Sequence, residues 1–230
     1  MGVTLVNLAP GVWTSAEIVR LPAIRFPVRV GVFRLGDGSL MLVSPTPRIG
    51  ELAAEISALG PVSAIVEPNV LHHLGLAAAR AAFPAARSFG PPGLAGKISG
   101  QPLPEPLVDG PGVPWSGAVD LVAVEGMPHT EETVLFHRSS RTLWVTDLAF
   151  NVRTSDHLPT RLFMRLNGAY GRFAHSRIAR TMVKDRGALR RTVDRLLALA
   201  PERLLPAHGD PVEADATPVF ADAFAHLPAC

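Results

Sequence analysis

Apolar residues fall along the chain in short runs, most of them closed by proline or glycine. Val3 to Val19 holds two such runs around Pro10-Gly11, which predicts strand, turn and strand. Val28 to Leu35 and Ser39 to Ser44 flank Gly36-Asp37-Gly38, a hairpin signal. Ile49 to Leu59 has helical spacing and is stopped by Gly60-Pro61. The run ending in Ile65-Val66 behind Pro61 reads as a buried strand. Pro68-Asn69 breaks it, Leu74 to Phe83 reads as an alanine-rich helix, and Ala86 to Phe89 as a short strand.

Ile98 to Pro114 is rich in proline and glycine with no clear period, which predicts a loop. Val119 to Val124 reads as a strand, and Thr133 to His137 and Thr142 to Thr146 as two more joined by the polar turn Arg138-Ser139-Ser140-Arg141. Thr160 to Leu199 is mostly helical, interrupted near Gly168 to Gly171 and Asp185 to Gly187. Arg203 to Pro206 is a last short strand, and Thr217 to Leu227 a closing helix. Two rounds of strands followed by a helix suggest two similar halves. No solenoid repeat or heptad is present.

A chain of 230 residues with 47% hydrophobic and 18% charged residues can bury a real core. No apolar run of the length of a membrane span occurs. Met1-Gly2-Val3-Thr4 lacks a basic flank followed by an apolar segment, and the only cysteine is Cys230. Both features lead to the expectation of a cytoplasmic protein without a secretory signal, a disulfide or a thiolate metal site. The net charge is +2, but the segment from Leu148 to Ala200 holds 11 Lys/Arg against 3 Asp/Glu. That asymmetry points to an anionic partner, or to a solvated helical surface whose arginines meet acids elsewhere.

Candidate chemistry gathers at strand ends. His72 and His73 lie where a strand gives way to a helix, the place at which open α/β sheets carry their ligand sites. One of the pair capping the helix while the other packs is the structural alternative. His129, Asp147 and His208 also follow predicted strands. Imidazole and carboxylate are the usual ligands of zinc, iron and manganese where thiolate is absent.

In order and spacing these motifs resemble the metallo-β-lactamase superfamily over nearly the whole chain. His73-Leu74-Gly75 matches the end of its first metal motif, His129-Thr130 its next histidine loop, Thr146-Asp147 its bridging aspartate, and Pro206-Ala207-His208-Gly209 its final histidine. The resemblance implies an α/β fold of α+β character, a four-layer αββα sandwich, as a single domain over residues 1–230 with a basic helical insert at about 150–200. It also exposes a departure. The two earlier histidine slots of the first motif hold Pro68 and Val70, and the aspartate slot holds His72. The first metal site of the family is thereby dismantled, while His72, His73, Asp147 and His208 correspond to the second.

Pro68-Asn69-x-x-His-His, Pro91-Pro92-Gly93-Leu94, His129-x-Glu-Glu and Ser140-Arg141-Thr142-Leu143-x-x-Thr-Asp are similar to an uncharacterised branch of that superfamily, a domain of unknown function. The implied activity is a hydrolase with one divalent ion, zinc or iron, acting on a small anionic substrate. His129 and Asp147 are its catalytic candidates; of Glu131 and Glu132, one is expected to be solvent-exposed and the other to orient the His129 ring. Arg161, Arg165, Arg172 and Arg177 are the candidates for binding the substrate. The alternative is a metal-free descendant that binds a ligand or partner protein. A third reading, a peripheral binder of membrane or nucleic acid, rests on the arginine-rich segment. With aromatics at 6%, the nucleic-acid form of it lacks the interleaved aromatics of an RNA-binding sheet.

Overall fold

The structure is a computed structural model describing residues 3–110 and 112–228, so Cys230 lies outside the described residues. The chain divides into two compact units. Residues 3–17, 29–121 and 137–140 form the first, and 18–28, 122–136 and 141–228 the second.

The first unit is organised on a seven-stranded sheet in the order β1 (Val6–Ala9), β2 (Val12–Arg20), β3 (Arg25–Arg34), β4 (Leu40–Val43), β5 (Val62–Val66), β6 (Arg87–Gly90) and β7 (Glu105–Pro106). β2 and β3 each contribute residues to both units. The pairs β1–β2 and β3–β4 are antiparallel and close through short turns, as the Pro10-Gly11 and Gly36-Asp37-Gly38 signals predict. From β4 to β7 the strands are parallel, so each link must cross over the sheet. A 3-10 turn (Ile49–Leu52) running into α1 (Ala53–Leu59) makes the first crossover, and α2 (Leu76–Ala82) the second.

The crossovers bury Ile49, Leu52, Ile56, Leu76 and Ala79 against Val30, Val32, Leu40, Leu42 and Ile65 of the sheet. Burying such a side chain stabilises the fold by about 1.5–3 kcal/mol. One strand was not legible in the sequence. β7 lies within the stretch expected to be loop; it is two residues long, exposed, and joined to β6 by backbone pairing and the Arg87–Glu105 ion pair, so no apolar period marks it.

The second unit holds most of a four-stranded sheet ordered β11 (Arg203–Pro206), β10 (Thr142–Val145), β9 (Thr133–His137), β8 (Val119–Ala123), with β10 and β11 parallel. Helices α3 (Leu158–Leu166), α4 (Arg177–Met182), α5 (Arg186–Ala198) and α6 (Ala216–Ala223) belong to it. α5 and α6 cover the sheet with Leu189, Val193, Leu196, Phe220 and Phe224 against Val134, Phe136, Leu143 and Leu204.

The breaks between α3, α4 and α5 fall where the glycines and Asp185 predict them. Ser176 Oγ accepts from Ala179 N at 3.2 Å, and Asp185 Oδ1 from Ala188 N at 2.9 Å, each fixing a helix start. A cap of this kind is worth about 1 kcal/mol. α3 is held by Thr160, whose hydroxyl accepts from Arg25 N at 2.7 Å and donates to Arg25 O at 3.1 Å.

Candidate metal centre

In the first unit, the turn after β5 is built by Asn69. This buried amide accepts from Leu71 N at 2.9 Å and His72 N at 3.0 Å, closing an Asx-type turn that presents the two histidines. His72 Nδ1 stands 2.7 Å from Ser44 Oγ at the end of β4. His73 points its Nδ1 at Val70 O, 3.2 Å away in its own turn. Gly75 closes the turn against the backbone of Pro45; a Cβ there would stand 2.0 Å from Pro45 O. Only glycine allows that approach, which brings the histidine turn and the Ser44 loop together.

In the second unit, Asp147 and His208 meet, with Oδ1 and Nε2 3.4 Å apart and both side chains mostly buried. His208 is held from three sides. Its Nδ1 is 3.0 Å from Pro27 O, its face stacks on Phe150 at 5.2 Å and 14°, and Phe26 abuts it edge-on at 4.8 Å. The backbone clasps the same place, since Asn151 N donates to His208 O at 2.9 Å and Asp210 N to Asn151 O at 2.8 Å. Gly209 sits at φ +105°, where a Cβ would lie 2.2 Å from Asn151 O.

Beneath Asp147 lies Glu132, fully enclosed. Its Oε1 accepts from Thr146 N at 2.7 Å and its Oε2 from Asp147 N at 3.0 Å. Burial first, and the neighbouring Asp147 carboxylate second, push Glu132 up to about 8. The structure gives Glu132 a different task from the one expected of it. It shapes the chain around Asp147 through backbone amides, while Glu131 is exposed at φ 46°.

His129, the expected acid–base group, is exposed in the loop after β8. Of the four arginines expected to meet substrate, three serve their own segment. Arg165 lies over the Tyr170 ring at 5.1 Å, Arg172 Nε donates to Gly168 O at 3.3 Å, and Arg177 Nη1 to Leu166 O at 3.1 Å. Arg161 is half-buried, and its Nε is enclosed without a hydrogen-bond partner among the described residues.

Ser44 beside His72, and Pro27, Phe26 and Phe150 around His208, carry no sequence signal of these roles. Asn69 does, as a turn-forming pair with Pro68.

Comparison with solved structures places this architecture in a known class. The crystal structure of the metallo-β-lactamase FIM-1 from Pseudomonas aeruginosa in its mono-zinc form is similar over 98% of this chain and 96% of its own, with a TM-score of 0.67 and 12% identity. A metallo-β-lactamase from Pontibacter korlensis is similar over 97% and 99%, at 0.66 and 11%. One from Erythrobacter litoralis is similar over 98% and 93%, at 0.65 and 15%. The fold is therefore the metallo-β-lactamase fold, the class expected from the sequence. Within it, the chain belongs to the family described as "Domain of unknown function (DUF4336)", whose profile matches residues 10–192. No curated protein matches the chain.

Proposed function

We propose that the chain is a metal-dependent hydrolase of a small molecule, using one zinc or ferrous ion held by His72, Asp147 and His208. Each of the three can offer one ligand atom. The observation that carries the reading is the meeting of Asp147 with His208. Pro27 O can only accept, so a neutral His208 carries its proton on Nδ1 and turns the Nε2 lone pair toward Asp147 Oδ1. Two acceptors facing each other at 3.4 Å require a cation or a proton between them.

Distance favours the cation. A charge-assisted N–H···O contact runs at about 2.7–2.9 Å. Two ligands of a tetrahedral zinc, with bonds of about 2.0–2.1 Å, stand roughly 3.3–3.4 Å apart. The spacing in the second unit fits the ion. A carbonyl on the far nitrogen is also the usual partner of a metal-ligating histidine, and Ser44 Oγ takes the same position on His72. That FIM-1 has been crystallised in a mono-zinc form supports a single ion in this fold.

When bound, such an ion supplies Lewis acidity and acidifies water. The chain's own residues do the rest. Pro27, Phe26 and Phe150 hold the His208 ring, Ser44 orients His72, and Glu132 sets the backbone on which Asp147 stands. In this reading His73 positions the turn through its Nδ1 contact with Val70 O, and it is not among the three residues whose ligand atoms gather. His129 is assigned to proton transfer. Arg161 is the arginine left to meet an anionic group on the substrate, since Arg165, Arg172 and Arg177 are engaged within their own segment.

The test is elemental analysis of protein expressed with added zinc and iron and purified without chelator. One ion per chain is expected, lost in His208→Ala and Asp147→Asn and retained in His129→Ala. Two ions per chain would overturn the ligand count. None would overturn the hydrolase reading in favour of a metal-free binding module.

A further inference from the structure

α3 presents a face that the proposed hydrolase chemistry does not use. Leu158, Leu162 and Leu166 are 62%, 56% and 64% exposed. At four-residue spacing and about 100° per residue, they form one stripe within roughly an 80° arc. The opposite side of the helix is committed, with Met164 buried and Phe163 packed among Val152, Ala169 and Ala174. Single exposed leucines are ordinary on protein surfaces; a continuous row of them is not.

The row continues into α4. Arg177 N donates to Asn167 O at 2.9 Å and its Nη1 to Leu166 O, which fastens the start of α4 to the end of α3. Ile178, the next residue, is 48% exposed.

Cations border this row. Arg165, Arg172, Arg177 and Arg180 are all exposed. Each is anchored by a ring or a backbone carbonyl, Arg180 through Nε to His175 O at 3.1 Å. None of the four is paired with a carboxylate among the described residues. Several arginines elsewhere in the chain are paired, among them Arg48 with Glu51, Arg87 with Glu105 and Arg138 with Asp120. The carbonyl contacts hold the α3–α4 guanidinium groups in place and leave their charge unneutralised.

We infer that α3 and the start of α4 form a peripheral docking surface for an anionic phospholipid bilayer. Leucines enter the acyl boundary while the arginines meet lipid phosphate, the division of labour of an interfacial amphipathic helix. The charge pattern selects this occupant over others. A second copy joined through the same face would set arginines against arginines. Nucleic acid would leave the leucine row unused, and it would find no exposed aromatic to stack on, since Phe163 and Tyr170 are half-buried and Phe173 is buried. No helix among the described residues is long and apolar enough to cross a membrane, so attachment of this kind lies on the surface. The inference does not rest on the metal reading.

The experiment is co-sedimentation of the full chain with vesicles of phosphatidylcholine alone and of phosphatidylcholine with one-third phosphatidylglycerol. Binding is expected only to the second, and it should fall about tenfold when salt is raised until the Debye length approaches 3 Å. Leu162→Ser/Leu166→Ser and, separately, Arg172→Glu/Arg177→Glu should each lower binding by about tenfold or more. All four side chains are exposed and the backbone bond from Arg177 N to Asn167 O is kept, so circular dichroism and metal content should match the parent. Three results would overturn the inference. The parent could stay in the supernatant with anionic vesicles at low salt, the variants could bind as well as the parent, or a polyanion such as duplex DNA or an acidic protein could outcompete the vesicles.

Discussion

A side chain that is buried with its polar atoms unmatched commits the fold to one protonation state. Glu67, at the end of β5, is fully buried, and neither of its oxygens has a hydrogen-bond partner among the described residues. Burial raises its carboxyl well above the ordinary 4.5, and only the attraction of Arg80 opposes the rise. The folded chain therefore keeps a proton that the unfolded chain gives up. This contribution to stability is complete below about pH 4.5 and is lost as pH rises through the folded value. Glu67→Gln keeps the shape and removes the titration. The variant should be more stable than the parent above neutrality and lose less stability toward alkaline pH, as read by urea midpoints across a pH series. Parallel curves for the two proteins would show that another group sets the slope.

Glu67 also shows what single residues conceal in a sequence. It stands beside Pro68 with nothing to mark it as buried, because burial of an isolated acid depends on the strand β5 being covered. Asp147 and His208, in contrast, were legible from their place after strands and from their flanking residues.

At the scale of elements, the pattern of short apolar runs located ten strands and the main helices, because each run is bounded by a proline, a glycine or a polar turn. What it missed followed from the same logic. β7 has no apolar face of its own, and the role of Glu132 depends on β9 lying beside β10, a pairing that no local pattern encodes.

The α4 segment carries a second consequence of packing. His175 precedes it, 1% exposed, with neither ring nitrogen hydrogen-bonded among the described residues and its ring against Phe224 at 5.0 Å and His226 at 5.2 Å. Burial, then the proximity of His226 and Arg180, hold His175 down to about 3 from the usual 6.5. The sign is opposite to that of Glu67. The neutral ring stabilises the fold above about pH 6.5, and this is lost as pH falls toward 3.

His226 is shifted in the same direction by burial, Arg180 and Arg186, so it shares the acid sensitivity. His175→Phe fills the place with a ring that cannot charge and has no unmatched nitrogens. It should raise stability by about 1–3 kcal/mol at neutral pH and flatten the acid limb. Unfolding by urea at successive pH values measures both. A variant as acid-sensitive as the parent would assign that limb to His226 or to another group.

At the scale of the whole molecule, the proposed ligands are far apart in the sequence. His72 follows β5, Asp147 follows β10 and His208 follows β11. An ion that needs all three would bind the folded chain and not the unfolded one, so its affinity would appear as stability. At a free zinc concentration one hundred times the dissociation constant, the gain is about 2.7 kcal/mol. Chelation should remove it, lowering the thermal midpoint of metal-loaded protein to that of the chelated form.

His72→Ala provides the discriminating case. His72 is half-buried and lies outside the packed core, so the chelated variant should unfold close to the chelated parent. Added zinc should then raise the parent's midpoint and leave the variant's nearly unchanged. Were the variant to gain as much as the parent, the ion would be held without His72. His72 would then be a residue of the Ser44 turn and not a ligand.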